Sequence, residues 1–362
     1  MIPSDFMTRS DYNFTTPDYY NYSDNDNYND FCEKTDARRL ARYLLPPFYW
    51  LMFVVGTLGN NLVIIMYWYC TRVKTMTDVF LLNLAIADLL FLLTLPFWAD
   101  QASDQWKFGT VMCKVINATQ EMNFYSSMLF ITCISVDRCI VIAQAWKAHL
   151  WRRKSLLYSK MVCCAVWVIA ITLCIPEYLY SQDIEQSEAR FCTMVYPREN
   201  DKLKSVLLIL KLILRFFLPL IIIFICYTIV IHTLLQTKKS SKHKALKVII
   251  LVLTLFVLTQ FPYNSNMMLQ IIDSLKKFIS DCDIFTQSGI RFQVTQTIAF
   301  SRSCQNPYIY VFVGKKFRQD LVKTLRKLGC ISQSQWVSFT RREGSLRLSS
   351  MMQETSSGPL SF

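Results

Sequence analysis

Seven stretches of the chain run apolar for long enough to cross a bilayer, and polar connectors part them. Residues 44–69 hold no charge, 79–99 hold only Asp88, and 111–145 hold Lys114, Glu121, Asp137 and Arg138. Residues 161–180 hold Glu177 alone, and 203–231 hold Lys204, Lys211 and Arg215. Residues 248–269 are uncharged, and 292–313 hold Arg302 alone. About 20 predominantly apolar residues span the hydrocarbon as a helix. A helix satisfies its own backbone, so such a run can sit in lipid. The pattern predicts an all-α membrane protein, a seven-transmembrane helix bundle.

Charge placement orients the bundle. A net charge of +13 would suit nucleic acid if it were spread over a face. Instead the basic residues gather in alternate connectors: Arg72 and Lys74; Arg152, Arg153, Lys154 and Lys160; Lys238, Lys239, Lys242, Lys244 and Lys247; Lys315, Lys316 and Arg318. That bias marks cytoplasmic loops, excludes a nucleic-acid reading, and leaves the N-terminus outside the cell. No apolar signal segment precedes the first span, which is expected to act as an uncleaved anchor. The chain divides into an acidic, disordered extracellular tail (residues 1–42), the bundle (43–314), an amphipathic cytoplasmic helix (315–330) and a disordered cytoplasmic tail (331–362). The short eighth helix follows from Phe317, Leu321, Leu325 and Leu328 recurring at helical spacing among Lys316, Lys323, Arg326 and Lys327. Membrane lipids are therefore the bundle's and this helix's surroundings, and Cys330 is a palmitoylation candidate.

On this topology Cys32, Cys113, Cys192 and Cys282 lie at or near the outer face, and four cysteines allow three connectivities. The other nine sit in spans or inside and are expected to stay reduced. Asn13 and Asn21 head glycosylation sequons in the outer tail, whereas the sequon at Asn117 falls within a span and is read as chance.

Each span carries a local pattern: Gly59-Asn60; Asn83-Leu84-Ala85-Ile86-Ala87-Asp88; Asp137-Arg138-Cys139; Trp167; Pro219 with Tyr227; Phe261-Pro262; and Asn306-Pro307-Tyr308-Ile309-Tyr310. Together, and in this order, they resemble the rhodopsin-like G-protein-coupled receptors over about residues 40–330. Thr94-Leu95-Pro96, the four outer cysteines and the acidic, tyrosine-rich tail resemble the chemokine receptors within that family, and residues 67–78, 293–300 and 337–346 extend the likeness into the C-C class. The resemblance implies disulfides Cys113–Cys192 and Cys32–Cys282 across the mouth of the bundle.

It also implies roles. Asp88 with Ser127 would line a water-filled sodium pocket; the plainer reading is a polar node with Asn60 and Asn306. Arg302 stands where chemokine receptors usually have His. A mid-span Arg costs about 2.5–3.5 kcal/mol on insertion scales unless partnered, which predicts an Asp88–Arg302 ion pair in place of sodium. Asp137 would hold Arg138 at rest, and Arg138 would swing toward Tyr227 and a G protein on activation. The third member of that triplet is usually Tyr and here is Cys139. Pro219, Pro262 and Pro307 each remove a helix hydrogen bond. With Asn306 and Tyr310, the bends at Pro262 and Pro307 form the expected inner switch. Family members commonly carry Trp before the sixth-span Pro; here the rotamer role falls to Gln260 or a neighbour such as Tyr263.

The expected ligand-binding set is Tyr19, Tyr20, Tyr22 and Tyr28 of the acidic tail with Trp98, Gln120, Glu121, Lys211, Arg215 and Gln296 of the cavity. Tail tyrosines flanked by acids resemble sulfation sites and would attract a basic chemokine at long range. Lys211 and Arg215 share a helix face, with Glu121 as counter-charge; the three either present net positive charge to a ligand or neutralise one another. The implied partners are a C-C chemokine, of the thymus-expressed kind, an inhibitory-class heterotrimeric G protein, and arrestins reading a phosphorylated Ser/Thr-rich tail. An atypical receptor that captures chemokine without G-protein signalling is the alternative. No nucleophile–base arrangement, metal-ligand cluster or phosphate-binding glycine loop is visible, so neither catalysis nor a cofactor is expected. The two halves show no repeat of the kind transporters carry.

Overall fold

Long apolar runs in lipid have to close their own hydrogen bonds, and helices dominate the computed structural model accordingly. It describes residues 35–70, 75–143, 155–186, 189–197, 201–236, 242–276, 282–313 and 315–327, with 329 and 332. Among the described residues, five helical stretches are long and apolar enough to cross a membrane: Arg42–Trp68, Met76–Ser103, Gly109–Ala143, Leu156–Tyr180 and Leu203–Thr233. The helices Lys242–Lys276 and Cys282–Val313 complete a seven-helix bundle. These last two carry more polar side chains along their length, among them Gln260, Asn264 and Asn266, and Gln296, Arg302 and Asn306. At about 1.5 Å per residue, such helices outrun the roughly 30 Å hydrocarbon layer, so their ends reach both interfaces. The first helix begins at Thr35, inside the stretch expected as tail.

Several spans are interrupted where the sequence breaks the backbone ladder. The second is built from Met76–Leu92 and Leu95–Ser103, separated by a turn at Leu93 and Thr94. There the Thr94 hydroxyl donates to the Phe91 carbonyl at 2.6 Å, and Pro96 opens the next helix. The fourth breaks at Cys174, ahead of Pro176. The fifth passes through a π-helical turn, Ile213–Phe217, just before Pro219. Such turns add a residue to one loop of helix and recur at functional sites. This one carries Arg215, which is buried.

Close approach of the first span to the second and seventh explains two glycines. A Cβ on Gly59 would lie 3.2 Å from the Pro307 ring, and one on Gly56 would lie 2.7 Å from Leu92 and 2.9 Å from the Cys304 sulfur. The gap is bridged by Asn60, whose Nδ2 donates to the Gly56 and Ser303 carbonyls at 2.9 and 3.0 Å. The second and fourth spans are tied by Trp167 Nε1, which donates to Asn83 Oδ1 at 2.9 Å. Outward, large apolar side chains such as Trp50, Leu58, Phe224, Leu258 and Phe261 are exposed, as a lipid-facing surface requires. The helix Lys315–Lys327 turns Leu321 and Leu325 onto Val63, Met66 and Tyr67 at the inner end of the first span.

Outside, strands β1 (Ser181–Gln186) and β2 (Ala189–Met194) pair antiparallel, with Asp183 opposite Cys192. A disulfide joins Cys192 to Cys113 at the top of the third span. The hairpin is also held by Gln101 Oε1, which accepts from Cys192 N–H at 2.9 Å, and by Trp106 N–H, which donates to the Arg190 carbonyl at 2.7 Å.

Candidate functional site

Beneath the outer hairpin the spans bury paired charges. Arg215, on the π turn, donates from Nη1 to Glu121 Oε1 at 2.8 Å, and both side chains are almost wholly buried. The guanidinium carbon lies 4.4 Å from the Phe124 ring centre and 5.1 Å from that of Tyr263. Those two rings are parallel, with centres 5.9 Å apart. An Arg is suited to this because its planar, weakly hydrated cation can bond a carboxylate while resting against aromatic faces. Third, fifth and sixth spans therefore meet at one buried cation.

Lys211, one turn outward, pairs with Glu177 of the fourth span. Glu121 is the counter-charge expected for both cations. Glu121 binds Arg215, and Lys211 takes a second acid instead. The physical reason is the break at Cys174, which starts the short helix Ile175–Tyr180 and sets Glu177 in its first turn, facing the fifth span. The signal was present, since Glu177 is the only charge in its span. Trp98 is buried and packs against Trp106 with ring centres 6.0 Å apart. Gln120 and Gln296 are also buried. Tyr19, Tyr20, Tyr22 and Tyr28, the sequons at Asn13 and Asn21, and the Cys32–Cys282 link lie outside the described residues or side chains. Asn117 is buried, its Nδ2 donating to Cys192 Sγ at 3.0 Å.

Midway down, Asp88 is completely buried and accepts from four neutral donors. Its Oδ1 takes Asn123 Nδ2 at 2.9 Å, Ser127 Oγ at 3.2 Å and Ser303 Oγ at 2.9 Å. Its Oδ2 takes Asn306 Nδ2 at 2.7 Å. Asn60 touches the same region through the Ser303 carbonyl rather than through the carboxylate. Asn123 and Ser303 were not singled out from sequence; Ser303 stands one residue after Arg302, and Asn123 one turn before Ser127. Arg302 is buried on the seventh span, and its charge acts on Asp88 through space. Both carboxylate oxygens are thus occupied by donors of the chain itself, the arrangement of a polar node.

At the sixth-span bend, Gln260 is buried and donates from Nε2 to the Ala299 carbonyl at 3.3 Å, tying sixth to seventh span. Pro262 lies within this helix, and Pro307 within the seventh beside Gly59. At the inner end, Asp137 accepts from the Thr77 hydroxyl. Among the described ion pairs none joins Asp137 to Arg138, since adjacent residues on a helix point apart. Arg138 is exposed toward the cytoplasmic side. Tyr227 Oη accepts from Ser135 Oγ at 3.4 Å and feels the Arg138 charge. The side chain of Tyr310 lies outside the described set.

A buried charge cluster near the outer hairpin, a buried polar node and an exposed inner Arg are thus stacked along the bundle. Residues 59–310 match the family described as 7 transmembrane receptor (rhodopsin family), and the chain belongs to it. It is 63% identical to C-C chemokine receptor type 9 of Homo sapiens over 100% of both chains. The Mus musculus protein of that name is 63% identical over 100% of this chain and 98% of its own. C-C chemokine receptor type 7 of Homo sapiens is 43% identical over 84% of this chain and 80% of its own. Membership makes the chain a receptor rather than an enzyme and a multi-pass protein of the plasma membrane.

Proposed function

We propose that this chain is a C-C chemokine receptor that couples extracellular chemokine binding to an inhibitory-class G protein and so to cell migration. The observation that carries the reading is its full-length similarity, 63% identity, to receptors named for C-C chemokines. A basic chemokine body meets the acidic tail at residues 1–42, and long-range attraction speeds that encounter. Its flexible end enters the cavity over Glu121, Arg215, Lys211 and Gln296. A ligand group that engages Arg215 competes with Glu121, Phe124 and Tyr263 for it, and thereby repositions the sixth span relative to the third and fifth. Binding shifts the population only by its differential affinity for the two arrangements. The inner output is Arg138 with Tyr227, opened by movement at Pro262 and in the Asn306-Pro307-Tyr310 segment. Arrestins then read the phosphorylated tail in residues 331–362.

Thymus-expressed chemokine is the expected ligand. The test is inhibition of cyclic AMP in transfected cells across a panel of C-C chemokines, with chemokine uptake measured alongside. Ligand-driven inhibition by one of them is the expected result. Uptake without inhibition favours the atypical, non-coupling receptor, for which Cys139 in the inner triplet and Arg302 in the seventh span are the motivating observations. Absence of both binding and uptake across the panel defeats the reading.

A further inference from the structure

The helix Lys315–Lys327 packs on the inner end of the first span, and its apolar side is committed there. Leu321 is buried, Leu325 packs beside it on Val63, Met66 and Tyr67, and Thr324 is wholly buried. That contact fixes the rotation of the helix, so its opposite side is presented in one orientation. Lys323, Arg326 and Lys327 are all exposed. Residues three and four apart share a helix face, so these three cations gather over about one turn.

Two observations call for an anion at this face. The first is the placement of charge along the helix. A carboxyl-terminal helix end favours cations, which accounts for Arg326 and Lys327 in the last turn. The amino end disfavours them, yet Lys315 and Lys316 open the helix with no acid in its first turn. Lys315, Lys316, Arg318, Lys323, Arg326 and Lys327 are set against one acid, Asp320. Basic clusters of this size just inside a span, or on an amphipathic helix, bind anionic lipid. The second observation is depth. Trp68 lies on the π-helical turn Met66–Cys70, against which the helix packs, and is 77% exposed. An exposed Trp at the end of a span sits at the boundary of hydrocarbon and headgroups. Its chain neighbours Met66 and Tyr67 hold Leu321 and Leu325, so the basic turn stands at the headgroup level of the inner leaflet.

We propose that the basic face of this helix is a binding site for a polyphosphorylated inositol lipid of the inner leaflet, with Lys323, Arg326 and Lys327 gripping its phosphates. Several phosphates on one headgroup match three cations held on one packed turn, whereas a headgroup of single charge engages them one at a time. Arg326 offers paired N–H donors to a phosphate, and the two lysines add point charges on either side. Lipid bound here pins the inner end of the first span to the bilayer surface. The site is independent of the ligand and the coupling proposed above.

The full-length receptor is purified in a neutral detergent. Retained lipid is then measured by native mass spectrometry after addition of phosphatidylinositol bisphosphate, phosphatidylserine or phosphatidylcholine. Retention of the bisphosphate is expected to exceed that of phosphatidylserine by about tenfold or more at equal concentration. The triple variant Lys323→Gln, Arg326→Gln, Lys327→Gln is expected to lower it by about tenfold or more. Lys107→Gln, which removes an exposed cation of the outer loop, is expected to leave it unchanged. Equal retention of phosphatidylserine and the bisphosphate, or unchanged retention in the triple variant, means a merely solvated basic face and overturns the site. Displacement of the bound lipid by an equal concentration of free inositol trisphosphate overturns the membrane as its source. Where the triple variant fails to fold, the wild-type preference among the three lipids still decides the proposal.

Discussion

The outer charge cluster and the Asp88 node bury charge in opposite ways. In the outer cluster each carboxylate faces its own cation, Glu121 with Arg215 and Glu177 with Lys211. At the node, one carboxylate is shared among neutral donors from the third and seventh spans, with the Arg302 charge acting at a distance. A one-to-one pair concentrates its stability in a single contact, and losing a partner strands a buried charge. A distributed node loses one hydrogen bond at a time. The outer cluster thus depends on two contacts, whereas the node ties three spans through several.

The largest expected effect tests the concentrated side. Arg215→Ala leaves Glu121 buried and uncompensated, and is expected to destabilise the protein by about 3–5 kcal/mol. Thermal unfolding of detergent-purified protein gives the measure. The double variant Glu121→Gln with Arg215→Met is expected to unfold at a higher temperature than Arg215→Ala, because no charge remains stranded. Equal midpoints would show that the two side chains do not act as a pair.

The node sharpens the contrast from the other side. Ser303→Ala removes one donor of four and is expected to cost about 1 kcal/mol. Asp88→Asn removes the charge that four donors and Arg302 address, and is expected to cost about 1–3 kcal/mol. Adding Arg302→Met to Asp88→Asn is expected to recover part of that loss. Because Arg302 supplies the local positive charge, exchanging sodium for choline in the buffer is expected to leave the wild-type unfolding temperature unchanged. Stabilisation specific to sodium would break this account of the node.

The two regions were not equally legible in sequence. Apolar runs parted by basic connectors reveal spans and their direction, because length and polarity are all that insertion demands. Asp88 and Arg302 stand as lone charges in lipid-length segments and Arg215 as one of three in its own, and each is buried. Which charge meets which depends on the rotation and breaks of neighbouring helices, and periodicity does not report those. The π turn at Ile213–Phe217 has no composition signature, yet it sets the position of Arg215. The break at Cys174 likewise decides that Glu177 reaches Lys211. Tyr263 was noted only as a stand-in for a missing Trp; its placement over Arg215 with Phe124 follows from packing of three spans.

A third charge cluster, outside the membrane, completes the comparison with the smallest effect. Lys107 lies 3.0 Å from Asp104 and 3.9 Å from Asp100, and all three side chains are more than a third exposed. The hydrogen bond to Asp104 and the charges of both acids hold its ammonium pKa above the ordinary lysine value. A raised cation pKa favours folding below the unfolded-state value of 10.5 and loses that contribution only as pH climbs through the folded one. The Lys107 ammonium therefore keeps its charge across the neutral range. Water and salt screen exposed pairs, and ordering two long side chains offsets what attraction remains. Lys107→Ala is expected to leave the unfolding temperature unchanged at moderate salt, the opposite outcome to Arg215→Ala. A clear drop would mean that the outer loop bears on bundle stability through Lys107, and burial would no longer be what separates the two clusters.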